Sequence, residues 1–332
     1  MRQSKIAGVG HYVPERVVTN QDLEKIMSTS NEWIIERTGI QERRYFEEGT
    51  DTTANMGTKA SRKALDMAGL QPSDIDMIIF ATLSPDYVFP GSGVLVQREL
   101  GLKNIPALDV RNQCSGFIYA LSVGDQFIKT GMYNNVLVIG SEIHSSGLDF
   151  SDRGRAVSVI FGDGAGAVVL TPSDSKEQGI LSTHLHADGE LAEELACTFP
   201  TSNKKERLTK EMIDDGSIYP YMNGQTVFKN AVVKFPEVIN EALEYNGLSA
   251  ADIDMLIPHQ ANLRITSFIQ QKMGLPPEKV FSNIQRYGNT TAASVPIALS
   301  EAVEQGKIKS GDLVCLAAFG SGFTWASALI RW

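Results

Sequence analysis

Residues 69–80 read GLQPSDIDMIIF, and residues 247–258 read GLSAADIDMLIP. Both carry Gly-Leu, then Asp-Ile-Asp-Met, then an apolar run, at one constant offset, that from Gly69 to Gly247. Self-similarity of this kind decides an architecture before any single motif can. Upstream of each copy lies a helical pattern, 53–68 (TANMGTKASRKALDMA) and 227–246 (VFKNAVVKFPEVINEALEYN). Gly69 and Gly247 then fall where a helix C-terminus turns left-handed. The runs MIIFATL and MLIP read as buried strands. NNVLVIGSE (134–142) and GDLVCLAAFG (311–320) add a second pair of strands at nearly the same offset. Helices alternating with near-continuous apolar strands imply α/β units whose sheets are covered on both faces. We expect two homologous α/β halves, 1–175 and 176–332, packed together.

The chain has 332 residues, which at about 150 per domain suits two domain-sized units. Its 42% hydrophobic and 21% charged residues are ordinary globular values. No apolar run approaches the ~20 residues that span a bilayer. MRQSKIAGVGHYVPERV lacks a signal-peptide core. Cys114, Cys197 and Cys315 are odd in number and widely spaced, forming neither a disulfide framework nor a metal pattern. A reducing cytoplasm is the expected compartment. A net charge of −9 argues against nucleic acid, which needs a concentrated basic face. Lys204, Lys205 and Arg207 are interleaved with and flanked by acids and read as a solvated loop. The polar stretch 187–216 breaks the repeat and is either a mobile surface insertion or a lid over a cleft.

Cys114 lies in DVRNQCSGFIYALSVGDQFIKTG (109–131). Ile105–Val110 resembles a short strand, and Ser115-Gly116-Phe117 opens a helix. The thiol would stand at the positive end of a helix dipole, a setting that lowers its pKa below ~8.5. Most isolated cysteines are inert buried residues, and Cys197 and Cys315 fit that description. His259 follows a repeated strand in LIPHQANLRI (256–265), at the carboxyl end where α/β proteins place their sites. A lone histidine is more often a hydrogen-bonded core residue. Asn289 sits in RYGNTTAASVPIALSEAV (286–303), at a turn the repeat matches to the Cys114 turn; a helix N-cap is its plain alternative. Cys, His and Asn so arranged serve peptide hydrolysis or thioester chemistry.

Further motifs resolve the choice. EWIIERTGI (32–40), DYVFPGSG (86–93), NQCSGF (112–117), DRGRAVSVIFGDGAGAVVL (152–170), PHQANLRI (258–265), YGNTTAASVP (287–296) and AFGSGFTWASALIRW (318–332) run in order over nearly the whole chain. Together they resemble the ketoacyl-acyl-carrier-protein synthase III family, the initiating condensing enzymes of bacterial fatty-acid synthesis. The resemblance implies a thiolase-like, duplicated α-β-α-β-α fold and a homodimer. It implies that Cys114 is acylated by an acyl-coenzyme A primer, and that His259 and Asn289 bind the thioester of malonyl-acyl-carrier protein as it loses carbon dioxide. Coenzyme A is then part of a substrate, with no cofactor and no metal. A related acyltransferase or head-to-head condensation of secondary metabolism is the alternative within the superfamily. A non-catalytic acyl carrier and a cysteine hydrolase are the alternatives outside it.

By the same resemblance the backbone N–H groups of Cys114 and Ser321 form an oxyanion hole. Here the sequence departs from the family, which often has three glycines where this chain reads Gly320-Ser321-Gly322. Trp33 and Arg153 match the positions that sandwich the adenine of coenzyme A, and Arg37 a position near its phosphates. Gln225 stands where an Asn near the pantetheine is usual. Lys229 and Arg264 match basic residues that receive the acidic carrier protein. Phe89 matches a loop residue that closes the acyl tunnel of the partner subunit. Gly162-Asp163-Gly164-Ala165-Gly166 looks like a dinucleotide fingerprint, but a strand follows it where a helix is required. His184 and His186 alternate on a strand without a third ligand, and we assign them no metal.

Overall fold

The computed structural model describes residues 2–175 and 177–332. A five-stranded sheet joins β1 (Gln3–Tyr12), β4 (Met77–Ala81), β5 (Ala107–Val110), β6 (Val136–Glu142) and β7 (Gly164–Ser173) in the order β1-β7-β6-β4-β5. A four-stranded sheet joins β8 (Gly179–Ala187), β11 (Met255–Pro258), β12 (Leu313–Gly320) and β13 (Thr324–Arg331) in the order β11-β12-β13-β8. Two small pairs complete the set: β2 (Val17–Thr19) with β3 (Glu42–Arg44), and β9 (Leu195–Ala196) with β10 (Tyr221–Met222).

The two large sheets share one plan. β4 runs parallel to β6, which is antiparallel to β7, which is antiparallel to β1. β11, β12, β13 and β8 repeat that sequence of directions. Met77 pairs with Val136, and Met255 pairs with Val314, so the register itself repeats at the offset of the sequence. In the second sheet the place of β5 shrinks to a single bridge between Leu256 and Val280.

The strands are apolar throughout because both faces are covered. Met77, Ile79 and Ala81 face a central cluster shared with Phe117, Leu121, Val295 and Leu299. Ile78 and Phe80 face the opposite cluster, with Met56, Ala60, Ala64 and Val96. Helices Gly116–Lys129 and Ser294–Glu304 thus form a middle layer between the sheets. Thr53–Ala68 and Ser92–Glu99 cover the first sheet, and Gly224–Tyr245 and Leu263–Lys272 cover the second. This is the α-β-α-β-α layering that the family resemblance implied.

Local signals set the ends. Thr52 and Asn55 form a capping box at the start of Thr53–Ala68. Gly69 and Gly247, with φ of 67° and 66°, supply the left-handed residue that ends the two equivalent helices. The second of these helices begins at Gly224 rather than 227, because the Asn223 side chain caps the Thr226 N–H at 3.2 Å. Among the described residues no helix is long and apolar enough to cross a membrane.

Candidate active site

Cys114 enters the site on a one-turn 3-10 segment, Gln113–Ser115, between β5 and the helix Gly116–Lys129. Gln113 takes a positive φ of 42°, which swings the next residue inward. The thiol is buried against the end of β12. A Cβ on Gly320 would lie 2.4 Å from Cys114 Cβ and 2.7 Å from its sulfur, so only glycine fits there. Burial pushes the thiol up to about 12, and the nearby Glu142 carboxylate adds to this; the N–H groups of Ser321 and Cys114 pull the other way. The expected lowering by the helix start is therefore overturned in the resting site. Removing a thiolate from water outweighs the dipole and both donors.

His259 directly follows β11 and is anchored by its own N–H to the Ala317 carbonyl at 2.8 Å. Its Nδ1 shares a hydrogen bond with Ser294 Oγ, which also accepts the Gln260 N–H at 3.3 Å. The arrangement that leaves fewest buried groups unpaired has Ser294 donating to Nδ1, with the ring proton on Nε2. Nε2 is buried and has no partner. Burial, with a smaller push from the neighbouring His144, lowers His259 to about 3, so the ring is neutral. It is a neutral donor held ready for an acceptor that the protein does not supply.

Asn289 is gripped through its backbone, its N–H on the Ile160 carbonyl at 2.9 Å and its carbonyl on the Gly162 N–H at 3.0 Å. Its Oδ1 accepts the Thr291 N–H at 2.8 Å, which leaves Nδ2 for the site. Thr291 has a φ of 48° and shares a hydrogen bond with His144 Nε2. His144 is buried, its ring tilted 32° to that of Phe161 with centroids 4.7 Å apart, and lowered to about 4 by burial. The Gly162–Gly166 stretch leads into β7, as its sequence implied, and Asp163 there accepts the His144 and Ser145 N–H groups.

Cys114, His259 and Asn289 line one cavity of ≈ 120 Å³, walled by apolar residues including Phe228, Met222 and Leu195. Leu195 comes from the 187–216 stretch, which places that part of the stretch against the cavity. A wider hollow of ≈ 610 Å³ beside it, lined by Asp149, Asp215 and Tyr219, contains none of the three.

The peripheral residues are placed less as expected. Trp33 is half-buried, with the guanidinium carbon of Arg37 5.1 Å and that of Arg155 4.9 Å from its ring centroid. Arg153 does not lie on Trp33. Asp149 holds its Nε at 2.6 Å, and its guanidinium faces Tyr219. Gln225 and Lys229 are exposed on the helix behind the cavity mouth, and Arg264 reaches over the Phe228 ring at 5.8 Å. Phe89 is 83% exposed, on a loop with Tyr87 and Val88 also exposed. His184 and His186 both pair with Glu241, tying β8 to the helix Gly224–Tyr245. Among the described residues no group of three potential ligands could hold a metal ion.

Sequence reasoning missed Ser294, His144, Glu142 and Gly320. The repeat carried a signal for the last two, since Glu142 precedes Gly320 by the same interval that separates Gly69 from Gly247.

A duplicated α/β scaffold that brings a thiol, a neutral imidazole and a carboxamide into one apolar-walled cavity defines the thiolase-like class of condensing enzymes. Comparison with known proteins agrees. The profile of 3-oxoacyl-[acyl-carrier-protein] synthase III matches residues 108–189, and that of its C-terminal region matches 243–332. The beta-ketoacyl-[acyl-carrier-protein] synthase III of Salmonella arizonae is 48% identical over 328 residues, 99% of each chain. The crystal structure of 3-oxoacyl-[acyl-carrier-protein] synthase III from Aquifex aeolicus superposes with a TM-score of 0.91, at 46% identity over 99% of this chain and 100% of that one. The priming beta-ketosynthase of the R1128 polyketide pathway superposes at 0.90, with 35% identity over 99% and 96% of the two chains. The chain belongs to the 3-oxoacyl-[acyl-carrier-protein] synthase III family of condensing acyltransferases.

Proposed function

We propose that the protein condenses an acyl-coenzyme A primer with malonyl-acyl-carrier protein, giving a 3-oxoacyl-acyl-carrier protein and carbon dioxide at the start of fatty-acid synthesis. The observation that carries this reading is the convergence of Cys114, His259 and Asn289 on one buried cavity.

Cys114 attacks the primer thioester; its thiol proton leaves with the departing coenzyme A thiol, and an acyl-cysteine remains. A thiol pushed up to about 12 is protonated at rest, so proton loss must accompany attack. The N–H groups of Cys114 and Ser321, which already favour negative charge on the sulfur, receive the acyl oxygen. Malonyl-acyl-carrier protein then binds with its thioester oxygen on His259 Nε2 and Asn289 Nδ2. Decarboxylation leaves an enolate, whose charge these donors stabilise; removing one such donor costs ~10²–10³ in rate. No base is required, because the electron pair of the carbon–carbon bond supplies the nucleophile. A neutral His259 suits that role. The enolate carbon attacks the acyl-cysteine carbonyl, the carbon–sulfur bond breaks, and the released Cys114 thiolate takes a proton from solvent to regenerate the thiol.

The reading extends to the periphery. Trp33 and Arg37 bind the coenzyme A nucleotide, with Arg153 joining them only by leaving Asp149, and Gln225 lies beside the pantetheine arm. Lys229 and Arg264 receive the acidic carrier protein. Because the whole chain is negative, that contact rests on a local patch and weakens with salt. Phe89 closes the partner's tunnel in a homodimer, with halves 1–175 and 176–332 in each subunit. The reaction needs no cofactor and runs in the cytoplasm.

The test is product analysis with acetyl-coenzyme A and malonyl-acyl-carrier protein. One 3-oxobutyryl-acyl-carrier protein per carbon dioxide is expected. Free acetate would mark a hydrolase, and turnover of another acceptor with indifference to malonyl-acyl-carrier protein a related acyltransferase. The absence of a covalent adduct with any acyl-coenzyme A would mark a carrier.

A further inference from the structure

Ser321 presents two groups to two different parts of the molecule. Its N–H favours charge on Cys114. Its hydroxyl donates to the Leu195 carbonyl, far earlier in the chain. Leu195 belongs to β9, which pairs with β10 through Leu195 opposite Met222, and the Asn223 N–H donates to the Glu194 carbonyl at 2.8 Å. Leu195 and Met222 both line the cavity that holds Cys114. The wall is thus a short two-stranded patch, and a patch of two residues per strand has little stability of its own. The chain leaves β8 with the Asp188 N–H on the Phe323 carbonyl at 2.8 Å, and the patch itself is tied to the turn after β12 by the Ser321 hydroxyl. That tie depends on a side chain, and the glycine usual in the family could not make it.

We propose that the Ser321 hydroxyl positions Leu195 as a wall of the acyl cavity and so limits the length and branching of the primer that Cys114 accepts. Ser321 is a specificity-determining residue through its side chain, apart from any role of its N–H. The inference rests on the acylation of Cys114 proposed above. A hydrophobic pocket discriminates single methylenes by ~10–200-fold, so a small shift of Leu195 is enough to change the choice of primer.

The experiment measures the rate of Cys114 acylation by intact mass with acetyl-, isobutyryl- and hexanoyl-coenzyme A. It compares the unaltered protein with Ser321→Gly, Ser321→Ala, Leu195→Ala and the Ser321→Ala/Leu195→Ala pair. Loss of one hydrogen bond of ordinary strength predicts a several-fold to ~10-fold rise in the hexanoyl-to-acetyl ratio for the Ser321 variants. Leu195→Ala should move the ratio the same way, and the pair no further than Leu195→Ala alone. Amide hydrogen exchange over 192–196 should quicken in both Ser321 variants. A uniform slowing of all primers, with unchanged ratios and unchanged exchange over 192–196, would overturn the inference while leaving the condensing reaction standing. If the unaltered protein acquired no acyl group at all, the reading of the function would fall and this inference with it.

Discussion

The turn Gln113–Ser115 and the turn Thr291–Ala293 are the same structure built twice, at equivalent positions of the two halves. Each starts with a residue at positive φ and runs into a helix of the middle layer, at Gly116 and at Ser294. They differ in what meets their N–H groups. In the second copy the Ala292 N–H favours charge on the Glu142 carboxylate, and the Ile143 N–H donates to Ser84 Oγ at 2.9 Å. In the first copy the matching donors are the N–H groups of Cys114 and Ser321, and the residue at the position of Glu142 is Gly320. The protein has filled one anion-binding turn with its own carboxylate and left the other open beside a thiol. An active site can thus be made by subtraction: the donors are common to both halves, and catalysis goes to the half where nothing occupies them.

The largest expected effect comes from closing the open copy. Gly320→Ala places a methyl group against the Cys114 sulfur and should slow acylation by about 10²-fold or more, measured by intact mass, while unfolding shifts by only about 1–3 kcal/mol. Retained acylation would mean that the two turns are not equivalent in the way described. Opening the closed copy should do the reverse. Glu142 accepts from Thr82 Oγ1, Ser84 Oγ and the Leu83 N–H. Burial still pushes it up to about 7. Glu142→Ala strands those buried donors and should cost about 3 kcal/mol in urea unfolding, with acylation much less affected than in Gly320→Ala.

A smaller effect concerns acid. His259 and His144 sit at about 3 and about 4 in the folded protein against an ordinary 6.5, because burial disfavours the charged rings. The unfolded chain takes up protons that the folded one refuses, so their contribution is intact above about pH 6.5 and is lost as pH falls. Each histidine should contribute a slope of about 1.4 kcal/mol per pH unit between its two values. Urea midpoints of His259→Gln should therefore fall less steeply than those of the unaltered protein between about pH 6 and about pH 4; parallel curves would place the ring in contact with water. The smallest effect separates the two strained residues. Gln113→Gly should change stability by less than about 1 kcal/mol, relief of the left-handed backbone offsetting the added chain entropy. Thr291→Gly should cost more, because it also removes the hydroxyl bonded to His144.

The strands were legible because burial on both faces writes itself as an unbroken apolar run. MLIP is β11 residue for residue, and the constant offset between the halves anticipates the register of both sheets. The convergence of Cys114, His259 and Asn289 followed from their places at turns and strand ends. What stayed hidden depends on surroundings. The Cys114 thiol rises because its whole environment excludes water, which no local motif encodes. Arg153 and Arg155 lie two residues apart, before and at the start of the short helix Arg155–Ser158, and Asp149 holds Arg153 while Arg155 reaches Trp33. Nothing in the reading of 187–216 pointed to Leu195, since its contact with the Ser321 hydroxyl joins residues far apart in the chain.

The division of labour between thiol and donors is tested most directly by separating the two half-reactions in His259→Ala. The variant should still take an acyl group from acetyl-coenzyme A, at a rate within about tenfold of the unaltered protein. It should lose ~10²–10³ in release of carbon dioxide from malonyl-acyl-carrier protein. Equal loss of acylation and decarboxylation would contradict the assignment of His259 to the enolate alone.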